Sequence, residues 1–338
     1  DRIIAHSGML SSNREVDPAA HFFNVFMLDR NGNRVVHRNT QDMFVAMYDH
    51  QIPPDAAQVV RYGLHLPLDV TDSVTFEVKL NYRKFDVPYT DFIANVDDDE
   101  IKPIPDHQPG QPYFNRLPIV TLASDTVTFP LGESDQEVEM PETLADPWER
   151  WNDYGIGLLV GGVELRQAVN AFQQVAEYGR VEGLLNLVRV YLQEGRHQKA
   201  VSVLQKLEQS AETGPFWTKE WLTGVANRKQ GRLVEAEQNF RNVLGYQTED
   251  MRRRGFDFSK DVEIINLLGS TLFDQAARQY AIDDAEGAET LMRSAVEVFG
   301  AVLKVDSENP VAHHNLQRLY ALLGQTALAN RHGELFRR

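Results

Sequence analysis

Up to about residue 131 the apolar positions recur in short runs separated by turn residues. Val74-Thr75-Phe76-Glu77-Val78-Lys79-Leu80-Asn81-Tyr82 alternates strictly, the period of a strand buried on one face. His21-Phe22-Phe23-Asn24-Val25-Phe26-Met27-Leu28 leads through Asp29-Arg30-Asn31-Gly32-Asn33-Arg34 to Val35-Val36, and an Asn-Gly between apolar runs predicts a hairpin. Ala57 to Leu64 alternates in part, and Leu117 to Leu131 reads as two strands broken near Ser124-Asp125. Strands at these spacings predict an antiparallel β-sandwich over residues 1–140. Residues 1–10 carry a strand-like fragment with no partner before it, so the sandwich is expected to begin upstream. Residues 95–112, with Asp97-Asp98-Asp99-Glu100 and Pro103, Pro105, Pro109 and Pro112, read as an exposed acidic loop.

From Trp148 the period becomes helical, and residues 141–338 repeat themselves. Small residues recur at Ala168, Ala200, Ala236, Ala295 and Ala329, at spacings of 32, 36, 59 and 34. The second unit carries Leu184, Leu187, Tyr191, a helix-ending Gly195-Arg196, then Ala200, Leu204 and Leu207. The third has Gly224, Gly231-Arg232, Ala236, Phe240 and Val243; the fourth has Leu268-Gly269, Ala295, Phe299 and Val302. These are the small and large positions of the tetratricopeptide pattern, whose period is about 34 residues. The longest spacing leaves roughly 25 extra residues, assigned to insertions around 246–262 and 281–288. The fold class expected is therefore α+β in two domains: an antiparallel β-sandwich followed by an α-helical tetratricopeptide-repeat solenoid.

Composition narrows the chemistry. The 338 residues carry a formal charge of -15, which opposes binding of nucleic acid or anionic lipid. No apolar run approaches the length of a membrane span. Cys is 0, which excludes disulfides, thiolate metal sites and a c-type haem attached to this chain. The chain opens at Asp1 with no basic and apolar leader, so a processed product or a fragment is expected. There is no phosphate-binding glycine loop, nucleophile elbow or zinc-binding His-Glu motif. Gly155-Ile156-Gly157 reads as small residues for packing, and Asp29 to Asn33 as a turn rather than a calcium loop.

Concave positions of the repeat helices gather Arg189, Trp221, Arg228, Lys229, Phe273, His314 and Arg318. A basic and aromatic groove in an acidic chain suits an acidic peptide or a partner's surface. Met251-Arg252-Arg253-Arg254-Gly255-Phe256-Asp257-Phe258 opens the insertion and reads as an ordered docking element. Six of ten histidines fall in the first 110 residues. Of these, His21 and His50 stand beside stiffening prolines in Pro18-Ala19-Ala20-His21 and His50-Gln51-Ile52-Pro53-Pro54.

The segments Asp17 to Gly32, His50 to Val60, Leu80 to Asp86, Trp151-Asn152-Asp153-Tyr154-Gly155-Ile156-Gly157 and Arg254 to Asp261 together resemble the C-terminal part of bacterial multihaem c-type cytochromes that end in tetratricopeptide repeats. The resemblance implies a periplasmic or extracellular electron-transfer setting. This chain would then be a non-catalytic module that docks haem domains and protein partners, with haem c only in an adjacent domain or subunit. It makes His21 and His50 candidates for distal haem ligands. The alternative is a haem-independent tetratricopeptide scaffold for peptide or protein assembly. An enzyme using carboxylates or histidines scattered in the β-domain is the third reading. Repeats and open sheet edges also lead to the expectation of an oligomer or filament.

Overall fold

A computed structural model describes residues 2–337, apart from 53, 55, 97–103, 106, 132–145, 163 and 211–213. The chain divides into two compact units, Asp1–Asp146 and Pro147–Arg338.

In the first unit the Asn-Gly turn forms, with Gly32 at φ 81°. Asp29 organises it by accepting from the Asn31 and Asn33 backbone N–H groups, both at 2.8 Å. The apolar run before it becomes strand β1 (Val25–Leu28); the chain returning from the turn bonds back to it, through the bridge of Leu28 to Arg34 and the Val35 N–H donating to the Met27 carbonyl at 2.8 Å, but the strand that pairs along β1 is β2 (Val45–Asp49). A second antiparallel pair joins β3 (Ser73–Tyr82) to β4 (Val120–Pro130), with helix α1 (Val87–Ala94) between them in sequence. The expected break near Ser124-Asp125 does not occur; β4 is continuous, and the irregularity lies where Leu80/Asn81 meet Ala123/Thr121. Ala57 to Leu64 forms no strand, and among residues 2–10 the β structure is the single bridge of Leu10 to Val16. The Asp97–Glu100 run lies outside the described residues. The end of the Pro-rich loop is tied to α1 by Asn95, whose side-chain oxygen accepts from the Gly110 N–H at 2.7 Å.

The β-sandwich is thus overturned: the described residues hold two separate two-stranded sheets and no pair of facing sheets. The alternation in β3 does sort its residues correctly. Val74, Phe76, Val78 and Leu80 share one face with Phe129, Val127 and Ala123, while Thr75, Glu77, Lys79, Thr128 and Thr126 share the other. What is missing is a second sheet over the apolar face, where Phe76 remains 42% and Val78 63% exposed. Alternation reports that a strand has an apolar face, not that a second sheet opposes it.

The second unit consists of antiparallel helix pairs: α2 (Pro147–Gly161) with α3 (Leu165–Glu177), α4 (Val181–Gln193) with α5 (His197–Glu208), and α6 (Phe216–Lys229) with α7 (Leu233–Gly245). After the short α8 (Glu249–Arg253) come α9 (Val262–Ala281) with α10 (Ala285–Val305), and α11 (Pro310–Leu322) with α12 (Thr326–Phe336). The small residues do what the pattern requires. Gly155, Gly224 and Gly269 on first helices lie against the rings of Phe172, Phe240 and Phe299 on second helices, and all three rings are fully buried. Gly195 and Gly231 end α4 and α6 at φ 73° and 76°, so the next N–H turns back onto Tyr191 and Asn227 carbonyls. The long spacing resolves into two parts. Residues 246–261 form α8 and a 3-10 turn that plants Phe258 in the core, and Asp261 then caps α9. Around 281–288 there is no loop of matching length, because α9 and α10 simply run longer than the other helices.

The last hairpin is closed by a histidine pair. His313, buried, holds its Nε2 3.0 Å from the Ser307 carbonyl and its Nδ1 2.8 Å from Nδ1 of His332, which stacks on Tyr320. The carbonyl can only accept, so His313 carries its proton on Nε2 and His332 donates to it. Burial, then His313 and Arg331, lower the pKa of His332 below the ordinary imidazole value. The unfolded chain therefore binds the proton more readily. This contribution to stability is complete above about pH 6.5 and fades as the pH falls. Thermal unfolding should show a lower midpoint at about pH 5 than at about pH 7, and His332→Gln should flatten that segment of the curve; an unchanged slope would rule this pair out as its source.

Candidate partner-binding face

The first helices of the repeats supply one face, and seven positions on them were expected to form a groove. The structure joins three of them in a row. Arg228 on α6 donates from Nη2 to Asp274 on α9 at 2.7 Å, and Arg318 on α11 lies over the Phe273 ring at 4.9 Å. Arg228 thus spends part of its charge on a neighbouring repeat, through an aspartate that sequence position alone did not single out. Trp221 stands on the same helix as Arg228, half-buried against the core. The indole Nε1 of Trp221 and the Nε of Arg228 are both buried without a hydrogen-bond partner. Two unmet donors seven residues apart on α6 face the same side, as helical geometry requires.

The other three separate from this row. Arg189 on α4 donates to Asn186 at 2.6 Å, and Asn186 donates in turn to Asn152 of α2 at 3.0 Å. Burial lowers the guanidinium's pKa from its usual value, and the side chain works as a strut between hairpins. His314 is exposed with its ring 5.0 Å from that of Phe336, at the edge of the last hairpin. Lys229 ends α6 and points into a cleft with Gly195, Arg196 and Lys199, at the turn end of the repeats rather than on the face. In the insertion, Phe258 serves the core, whereas Phe256 and Arg252–Arg254 stay exposed.

His21 and His50 do meet, as two residues 29 apart on an irregular segment and after β2. His21 Nε2 lies 3.3 Å from His50 Nδ1, the ring centroids are 5.1 Å apart, and His21 also sits edge-on to Phe23. Burial, then His50, lowers the pKa of His21. A metal held on opposite sides by two imidazoles sets their nitrogens about 4 Å apart, twice a metal–nitrogen bond. The contact at 3.3 Å therefore leaves no place for one haem plane between these two rings, an arrangement distinct from either histidine serving as distal ligand to a haem of an adjacent domain or subunit. Pro53, one of the prolines beside His50, lies outside the described residues. Among the described residues no cluster of three or more His, Asp or Glu side chains suits a metal ion, and no helix is long and apolar enough to cross a membrane.

No family model matches the chain, and no curated protein matches it. Solved structures with similar folds include a crystal structure of MamA, at 14% identity and a TM-score of 0.40, covering 57% of this chain and 94% of that one. MamA AMB-1 is similar at 17% identity and a TM-score of 0.40, covering 56% and 90%. A monomeric mutant of IFIT1 with Gppp-AAAA is similar at 15% identity and a TM-score of 0.44, covering 57% of this chain but only 43% of that chain. With scores this low, the tetratricopeptide-like assignment rests on the chain's own hairpins. Nothing in these comparisons points to a multihaem cytochrome.

Proposed function

We propose that this chain is a haem-independent interaction scaffold, whose repeat unit binds a polypeptide of a partner protein on the face of the first helices. The observation that carries this reading is the pair of unmet donors, Trp221 Nε1 and Arg228 Nε, beside the Phe273–Arg318 stack. A polypeptide suits that row: its apolar side chains cover the indole and phenyl rings, and its carbonyl oxygens accept from the two donors where their side chains turn toward it. Half-buried Trp and Arg are also the residue types in which binding energy concentrates. The periplasmic or extracellular electron-transfer setting is a separate proposal, supported by the resemblance of the sequence phrases, and the scaffold reading does not depend on it.

The test is selection of random dodecapeptides displayed on phage against the purified chain with no haem added. Binding peptides should emerge, and Trp221→Ala should weaken them by about 30-fold, the size of a central contact worth roughly 2 kcal/mol, with circular dichroism unchanged. Failure to enrich any peptide, or peptides indifferent to both Trp221→Ala and Phe273→Ala, would sink the reading.

A further inference from the structure

A second surface lies at the turn end of the repeats, away from the face of the first helices. A cleft of about 690 Å³ opens between α3 and the α4–α5 turn, walled by Arg166, Asn170 and Gln173 on one side and by Arg196 and Lys199 on the other. Its floor is Tyr191, with the Arg196 guanidinium 4.9 Å and the Lys199 ammonium 5.8 Å from the ring centroid. A second cleft of about 460 Å³ shares Arg196 and Lys199 and continues to His197, Lys229 and Gln230. The two form one strip across neighbouring repeats.

The charges on this strip are largely unspent. Arg196 pairs with Glu194 at 2.9 Å, whereas Arg166, Lys199 and Lys229 form no ion pair with any described residue. Lys199 shares the first cleft with Arg166 and the second with Lys229, a run of cations on a chain of net charge -15. A second observation is independent of charge. Both side-chain atoms of Gln230, Nε2 and Oε1, are buried with no hydrogen-bond partner, and so is Nδ1 of His197. Buried polar groups of native proteins are nearly always satisfied, so these atoms need a partner that the described residues do not supply.

Their chemistry selects the ligand. A phosphate or sulfate accepts hydrogen bonds only, so it could satisfy Gln230 Nε2 but would leave Oε1 unmet. A peptide group offers a carbonyl and an N–H together, the reciprocal of a carboxamide. From this geometry we infer that the strip binds an extended acidic segment of a partner protein. Its carboxylates meet Arg166, Lys199 and Lys229, a backbone amide meets Gln230, and the Tyr191 ring lies beneath. This adds a second contact to the scaffold reading and uses none of the residues that carry it.

The test uses the full chain and a fluorescein-labelled dodecapeptide of alternating Glu and Ser, followed by anisotropy at about 50 mM salt. Arg166→Glu with Lys199→Glu should lower affinity at least tenfold, while Lys304→Glu, an exposed cation on α10, should leave it unchanged. Gln230→Leu should weaken the peptide several-fold, and inorganic pyrophosphate should not displace it at equal concentration. Trp221→Ala should leave this binding intact, which separates the strip from the face of the first helices. Absence of binding, equal loss with Lys304→Glu, or displacement by pyrophosphate would each overturn the inference. Loss with Trp221→Ala but not with the Arg166 and Lys199 reversals would overturn it too, by moving the peptide to the other face.

Discussion

Phe299→Ala should cost about 3–5 kcal/mol of stability in chemical denaturation, the range for emptying a fully buried aromatic site. The ring of Phe299 on α10 fills the space left by Gly269 on α9, and a methyl group added at Gly269 would stand 2.8 Å from its nearest ring atom. Such an approach is far inside van der Waals contact, so Gly269→Ala should itself cost about 1–3 kcal/mol through overpacking. The two changes should not add: with the ring gone, the new methyl enters the vacated space, and the double variant should be more stable than the sum implies. Strict additivity would mean that the two residues do not share one space. The same interlock joins Gly155 to Phe172 and Gly224 to Phe240, so three hairpins depend on one device. The last hairpin reverses it, with Gly333 on the second helix lying against Gln317 on the first.

Asn309→Ala should cost about 2–4 kcal/mol, the sum of a lost helix cap and a stranded buried amide. Asn309 Oδ1 accepts from the Ala312 N–H at 3.0 Å, which starts α11, and from Asn266 Nδ2 of α9 at 3.1 Å. Its own amide donates to Asp306 at 2.9 Å. Both asparagines are buried, so removing Asn309 leaves Asn266 Nδ2 without its partner inside the protein. Asn309→Ser should keep the cap and lose the rest, recovering about 1 kcal/mol relative to alanine. Urea unfolding of the three proteins decides it; if serine and alanine are equally damaging, the cap contributes nothing and the buried amide pair carries the whole effect.

The repeats were readable because each of their rules is local. Small residues at Gly224, Ala236, Gly269 and Ala295 have to recur wherever two helices touch, and glycines such as Gly195 and Gly231 have to stand where a helix ends at positive φ. Those constraints act over one hairpin, and a hairpin is a continuous stretch of sequence. The insertion was readable only as a length. Nothing in its composition distributes the extra residues between a turn anchored by Phe258 and two longer helices. In the β-rich unit, period two separated Phe76, Val78 and Leu80 from Thr75, Glu77 and Lys79, but a sandwich needs a second sheet, and its presence is a long-range fact.

The candidate face divides along the same line. Helical position placed Arg228, Phe273 and Arg318 on first helices, because one residue every 100° or so fixes which side of a helix is shared. Whether those side chains are free for a partner was decided by neighbouring repeats: Asp274 takes one hydrogen bond of Arg228, Asn186 holds Arg189, and Lys229 turns to the rim. The strip of Arg166, Lys199, Lys229 and Gln230 has no sequence signature, since its members come from different hairpins and converge only when the hairpins stack. Sequence by itself determined the repeat, its small and large positions and the absence of thiol chemistry. Tertiary structure alone decided which polar groups are spent within the protein and which are left unmet, because that depends on contacts between hairpins distant in the chain.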